Sequence, residues 1–236
     1  MLLAIDTSTR YAGVALLNNE DQIAQLLQWR SQQNHTVELL PAIELVLKRE
    51  HISIQDITSI AIAIGPGSFS ALRVGISIAK SIAWSMGLPL VPVTTLEAEA
   101  FAYCYGSTTV CAVLDAGRNQ VAWALFEEKS SQQHQSISEQ ITDPAELLDI
   151  LPTPTLLCGE GLERYGETLS NNSPDGIRLA LPYLPSQRVA AIACLGNVRF
   201  QEGQTQKPDT VQPLYLRRPT ITEPRQQSSS TAHHNR

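Results

Sequence analysis

The 236-residue sequence predicts an α/β fold of two related lobes, each a mixed sheet flanked by helices. Two repeated patterns and the composition lead there. A strand that ends in an aspartate turn and returns as a second strand occurs twice. Ala4-Ile5-Asp6 is matched by Val113-Leu114-Asp115, and Ala15-Leu16-Leu17 by Ala124-Leu125-Phe126 at the same offset. A strand running through G-x-G into a helix also occurs twice, as Ile62-Ala63-Ile64-Gly65-Pro66-Gly67 and as Leu156-Leu157-Cys158-Gly159-Glu160-Gly161. The pairs follow in the same order, which reads as an internal duplication. A hydrophobic content of 43% lets a chain of this length bury a sizeable core.

In chain order, residues 2–5 read as a buried strand closed by the polar turn Asp6-Thr7-Ser8-Thr9-Arg10. Residues 11–17 and 23–29 follow as strands joined at Asn18-Asn19, making an antiparallel meander. A helix is expected over 36–50, where Pro41 is tolerable only near the first turn. Residues 59–64 form a fourth strand of alternating Ile and Ala. The Gly65-Pro66-Gly67 loop follows, then a helix that Ser68 or Ser70 can cap and Gly87 ends. Residues 90–93 form a fifth strand, and Thr94-x-x-Glu97 is a capping box opening another helix. The short helical link between strands four and five implies a parallel crossover.

The second copy has strands at 110–114 and 121–126 and a helix with Asp143 as N-cap and Pro144 at its first position. Residues 171–187 read as a loop, 186–200 as a last helix, and 209–218 as an extended return. The expected organisation is an N-terminal lobe over 1–106, a smaller lobe over 107–219, and a disordered polar tail over 220–236. The helix at 186–202 is free to pack back between the lobes. Two such lobes outline the actin-like, ribonuclease H-like (ASKHA) architecture of sugar kinases and Hsp70 ATPases. Fold alone does not assign function.

A net charge of −6 argues against a protein that grips nucleic acid unaided. Apolar runs are too short to span a bilayer and no basic leader follows Met1, so the cytoplasm is the expected compartment. Cys104, Cys111, Cys158 and Cys194 are dispersed and read as buried reduced thiols. The histidines show no metal-ligand spacing, and no metal site of the chain's own is expected.

Asp6, Thr7 and Ser8 occupy a turn that in an actin-like ATPase faces nucleotide phosphates; Asp115 and Arg118 occupy its counterpart. Each turn can equally bond its own backbone. No lysine or second carboxylate completes a phosphoryl-transfer set, and no catalytic residue is assigned. The Gly65-Pro66-Gly67-Ser68 loop lacks the P-loop pattern, so close packing explains it better than phosphate binding. The helix after it carries Ala71, Gly75, Ser77, Ala79, Ser81 and Ala83 between Val74, Ile76, Ile78 and Ile82. Its apolar residues spread too widely for one face, so a second face is expected to pack on a partner subunit.

Several stretches together resemble the TsaB (YeaZ) family. They are Ala4-Ile5-Asp6-Thr7-Ser8; His35-Thr36 with Leu40-Pro41; Gly65-Pro66-Gly67-Ser68-Phe69-Ser70-Ala71-Leu72-Arg73 with Gly75; Thr95-Leu96; and Pro213-Leu214-Tyr215-Leu216-Arg217. The resemblance runs from the first strand to about Arg217. It implies two actin-like lobes, little or no activity alone, and no cofactor held by this chain. It further implies a catalytic partner, TsaD, which transfers a threonylcarbamoyl group to N6 of adenosine 37 in tRNAs reading codons that begin with A. The ATP-binding protein TsaE completes the system; ATP and metal belong to these partners, and tRNA is met only through the complex. The contact surface it implies comprises His35, Leu39, Phe69, Leu72, Arg73, Gly75, Ile76, Ala79 and Lys80. Another reading is a homodimer through the same helix when the chain is alone, as a resting form or a purification state.

Three departures stand out. Ser70 and Ala71 replace the family's usual Thr and Gly, and in Asp115-Ala116-Gly117-Arg118 the arginine stands one place later than usual. The metal-binding histidines of the catalytic relative are absent around His35 and Leu39. A self-sufficient actin-like ATPase or small kinase is the competing reading, carried by the Asp6 and Asp115 turns.

Overall fold

The computed structural model describes residues 1–32, 34–104, 109–129 and 132–217. The expected tail at 220–236 lies outside them.

The first sheet is built from β1 (Leu2–Asp6), β2 (Tyr11–Leu17), β3 (Ile23–Arg30), β4 (Ser59–Ala63) and β5 (Leu90–Val93), in the order β3-β2-β1-β4-β5. β1 and β2 pair antiparallel, as do β2 and β3, whereas β1, β4 and β5 run parallel. The second sheet holds β6 (Thr109–Gly117), β7 (Gln120–Lys129), β8 (Gln132–Thr142), β9 (Thr155–Cys158) and β10 (Ile177–Leu179), in the order β10-β9-β6-β7-β8. Read from its other end, this is the first order with five added to each number. Duplication is therefore written in the topology as well as in the motifs.

The helices repeat too. α1 (His35–Arg49), α2 (Phe69–Met86) and α3 (Thr95–Phe101) correspond in order to α4 (Pro144–Ile150), α5 (Leu162–Asn172) and α6 (Ser186–Gln201). Alternation in the strands explains how both faces are covered. Leu3, Ile5, Ile60 and Ile62 face α1 and α2, packing on Leu39, Ile43, Leu72 and Ile76. Leu2, Ala4, Ala61 and Ala63 face the other way, onto Val189, Ile192 and Ala193 of α6. Small residues on that face let α6 lie close: a Cβ on Gly196 would stand 2.4 Å from the Ala61 Cβ. On the second sheet, α4 and α5 cover one face, and Leu96 and Ala100 of α3 cover the other. Each half thus lends its last helix to the other half's sheet, and α3 and α6 meet in the middle.

Four local readings differ from the sequence expectation. Pro41 is the seventh residue of α1 rather than part of its first turn. It and Val37, whose carbonyl it leaves unbonded, both lie on the exposed side, where water can bond that carbonyl. Ser68 holds the N-cap position of α2, yet its side chain makes no capping bond, whereas Asp143 and Pro144 open α4 where expected. The edge strand β8 was not anticipated, because Gln132–Thr142 is almost wholly polar. Nor was the three-residue β10, hidden in the stretch read as a loop. Gly87 ends α2 as expected, with φ 65°.

Cys111 and Cys158 are fully buried, and burial pushes the Cys104 thiol, itself a buried side chain, up to about 11. No helix among the described residues is long and apolar enough to cross a membrane.

Candidate functional site: the interlobe cleft and the outer side of α2

The two aspartate turns face each other across a cleft of about 950 Å³. Ser8, Thr9 and Arg10 line one wall with Pro66, Gly67, Ser68 and Phe69. Asp115, Gly117 and Arg118 line the other, and Glu160, Glu163, Arg164, Tyr215 and Arg217 complete the lining.

The Gly65-Pro66-Gly67 loop is pressed against its own lobe. A Cβ on Gly67 would lie 2.1 Å from Ser8 O, and Ser68 N–H donates to that same carbonyl at 2.7 Å. Gly65, at φ 112°, would meet Leu214 O at 2.7 Å. The second lobe repeats the arrangement, with Gly161 N–H donating to Val113 O at 2.9 Å. These glycines serve close backbone approach.

Asp6 does not stand free at the cleft floor to face a nucleotide phosphate, which corrects that expectation. It is buried, and its Oδ1 accepts bonds from Ser8 N–H at 2.8 Å and Ser8 Oγ at 2.6 Å. Its Oδ2 accepts from Arg188 Nε at 2.6 Å. Arg188 is the largest fully buried side chain. Its Nη1 meets Glu99 Oε1 at 2.8 Å, Glu160 Oε2 at 3.0 Å and the Tyr183 hydroxyl at 3.0 Å. Its Nη2 donates to Thr9 Oγ1 and to Tyr11 O, both at 2.7 Å. The Tyr183 hydroxyl in turn donates to Glu99 Oε1 at 2.9 Å. One guanidinium thus ties β1, the turn after it, α3 and the G-x-G turn of the second lobe. Burial pushes the Glu99 carboxyl above its ordinary range, against the pull of Arg188. Burial works against the Arg188 charge too, but Asp6, Tyr183, Glu99 and Glu160 outweigh it and hold the guanidinium firmly protonated.

Sequence reasoning missed this cluster. The signal available was a charge among apolar neighbours: Arg188 beside Val189, and Glu99 between Ala98 and Ala100.

Around it lies a looser ring of contacts. Arg10 pairs with Glu163 and lies 3.5 Å from Glu160, and Tyr11 donates to Glu163 at 2.8 Å. These groups are solvated, and screened pairs of this kind contribute little. Glu163→Gln is expected to change unfolding free energy by less than about 1 kcal/mol, checked by urea denaturation.

Thr7 is buried, its hydroxyl donating to Ala71 O at 2.7 Å. Asp115 is exposed at the cleft and accepts from Gly117 N–H at 2.9 Å, Tyr165 OH at 3.0 Å and Arg164 at 2.8 Å. Arg118 is exposed on the same wall. Of the five residues expected at a phosphate, Ser8, Asp115 and Arg118 therefore line the cleft, whereas Asp6 and Thr7 do not. Among the described residues, no three His, Cys, Asp or Glu side chains are grouped to hold a metal ion.

The expected contact surface splits in two. Leu39, Leu72, Ile76 and Ala79 are core residues, and each leucine buried this way is worth ~1.5–3 kcal/mol to the fold. His35 is buried, its Nε2 lying 3.2 Å from Thr9 O. Gly75 faces inward, where a Cβ would stand 2.2 Å from Thr7 Oγ1. These six cannot touch a partner, because the chain's own sheet and first turn already cover them. Phe69, Arg73 and Lys80 remain accessible. The outer sides of α1 and α2 also present Val37, Leu40, Leu45 and Trp84, the last 75% exposed.

The profile of the tRNA N6-adenosine threonylcarbamoyltransferase family, TsaD, matches residues 29–221. A Bacillus subtilis protein named tRNA threonylcarbamoyladenosine biosynthesis protein TsaB is 33% identical over 173 residues, covering 72% of this chain and 75% of the relative. The protein of the same name from Escherichia coli is 31% identical over 92% of this chain and 94% of its own length. The chain belongs to the TsaB family. A solved structure of YeaZ from Pseudomonas aeruginosa superposes with a TM-score of 0.75 at 24% identity, covering 91% of this chain and 99% of that one. The actin-like, two-lobed α/β fold is common to both.

Proposed function

We propose that this chain is a non-catalytic subunit in the biosynthesis of N6-threonylcarbamoyladenosine on tRNA, working in the cytoplasm beside the transferase TsaD and the ATP-binding protein TsaE. The observation that carries the reading is the state of Asp6. In a chain similar to TsaB proteins over nearly its whole length, the carboxylate best placed for phosphoryl chemistry is bonded on both oxygens and neutralised by Arg188. The outer sides of α1 and α2 are the proposed docking surface, with Val37, Leu40 and Trp84 as its apolar part. Docking through them as a homodimer is the proposed resting form. Of the five turn residues, Arg118 is the one that offers an anionic ligand an exposed donor, since Ser8 is buried with both its donors on Asp6 and Asp115 is itself an anion; ATP and metal are assigned to the partners.

The decisive experiment measures adenosine-37 modification by the purified transferase subunit with and without this chain. Modification that depends on added chain is expected, together with no ATP hydrolysis by the chain alone. Full activity without it overturns the proposal, and ATP turnover by the isolated chain that Asp6→Asn abolishes would establish the kinase-like alternative. For the docking surface, Leu40→Glu and Trp84→Ala are expected to weaken association at least ~10-fold, while an exposed Trp84 changes stability by only about 0.5 kcal/mol.

A further inference from the structure

α2 carries Arg73 and Lys80 as its charges and no acidic residue, in a chain whose net charge is −6. Arg10, Arg164, Arg188 and Arg199 all meet carboxylates. Among the described residues Arg73 meets none, yet it is not loose. Its guanidinium lies 4.0 Å over the Phe69 ring, and its Nε donates to the Tyr215 hydroxyl at 3.1 Å. The Phe69 and Tyr215 rings themselves stand 4.8 Å apart. Tyr215 is in turn held by its segment, since Leu214 N–H donates to Ile64 O at 2.7 Å and Arg217 to Ala116 O at 3.1 Å. A cation is thus oriented at the start of α2, stacked on Phe69 and bonded through Nε, on a residue that remains exposed.

Holding an arginine in one geometry normally costs ~2 kcal/mol of rotamer entropy at the moment of binding. Here the Phe69 and Tyr215 contacts have already met that cost, which is what preorganisation contributes to affinity. The open edge of the guanidinium matches a carboxylate in bidentate fashion. Its surroundings on α2 favour a protein acid over a nucleic-acid phosphate: small exposed hydroxyls at Ser70 and Ser77 allow close approach, and the chain as a whole is anionic.

We propose that Arg73 is the anchor of the docking surface and receives an Asp or Glu carboxylate from the partner subunit. This inference rests on the docking reading given above. The test measures affinity for the transferase subunit of the same organism by titration calorimetry, for wild type, Arg73→Ala, Arg73→Lys, Tyr215→Phe, Leu40→Glu and Trp84→Ala. Thermal unfolding of each variant is measured alongside. Arg73→Ala is expected to weaken binding ~30-fold or more with an unchanged melting temperature. Arg73→Lys should recover only part, because an ammonium lacks the planar fork. Tyr215→Phe should fall between, since it frees the side chain without removing its charge. Unaltered affinity in Arg73→Ala, with Leu40→Glu and Trp84→Ala impaired, overturns the anchor and leaves the docking surface standing. If no variant is impaired, the docking reading itself falls. An Arg73→Ala that loses binding only together with its melting temperature shows a structural stack, and overturns the anchor. Retained subunit affinity with weakened tRNA retention by the complex in a gel-shift assay assigns Arg73 to phosphate instead.

Discussion

Arg188→Met is expected to destabilise the protein by ~3–5 kcal/mol, because it leaves buried carboxylates without their counter-charge. The guanidinium fork satisfies Asp6, Glu99 and Glu160 together and also holds Thr9, Tyr11 and Tyr183. Methionine fills much of the volume and offers none of these bonds. Urea denaturation followed by circular dichroism measures the loss, and Glu163→Gln, on the solvated ring, provides the contrast. A loss below ~1 kcal/mol would show that the cluster relaxes or hydrates freely. The pH dependence has a definite sign. Glu99 already has its carboxyl raised by burial, so the folded state holds that proton more tightly than the unfolded chain does. A carboxylate raised in this way costs stability at neutral pH, and the cost is relieved as pH falls through its folded value. Removing Arg188 raises it further, so the deficit of Arg188→Met should shrink between neutral pH and the carboxylate range. Adding Glu99→Gln to Arg188→Met should recover part of the loss at neutral pH and flatten that slope.

Gly75→Ala is expected to destabilise, against the direction that helix propensity alone gives. Alanine in place of glycine inside a helix is worth up to ~1 kcal/mol in favour of folding. At this position the added Cβ would lie 2.2 Å from Thr7 Oγ1, well inside contact distance. Thr7 is fully buried and its hydroxyl is bonded to Ala71 O, so it can move only by giving up that bond. Overpacking of this kind costs ~1–3 kcal/mol, and the bond lost adds ~1 kcal/mol, which together exceed the propensity gain. Thermal and urea unfolding of Gly75→Ala check the sign; an increase in stability would mean that the turn yields cheaply. Gly75→Arg should fail to fold. Charged substitutions at Gly75 or Ile76 therefore report on folding, and cannot serve as tests of docking.

Much of the fold was legible because its signals are local. Alternating Ile60-Ala61-Ile62-Ala63 marks a strand buried on both faces, large residues toward α1 and α2 and small ones toward α6. The duplicated aspartate turns and G-x-G loops located the walls of the cleft. The edge strands β8 and β10 were missed for a physical reason: an edge strand needs few apolar residues, so Gln132–Thr142 reads as polar chain.

The docking residues were half legible. Period alone showed that α2 has more apolar surface than one face needs, but could not say which side its own sheet would take. Leu72, Gly75, Ile76 and Ala79 went to the sheet and the first turn, leaving Arg73, Lys80 and Trp84 outside.

The sequence by itself determined the two-lobed α/β architecture, its internal repeat and the family to which the chain belongs, because short motifs and hydrophobic alternation encode these directly. Only the tertiary structure decided the fate of Asp6. Arg188 lies 182 residues from it, 89 from Glu99 and 28 from Glu160. No local pattern links groups so far apart; α6 must first cross onto the opposite sheet before its arginine can reach them. That crossing makes an aspartate which reads as a phosphate ligand into half of a buried ion pair.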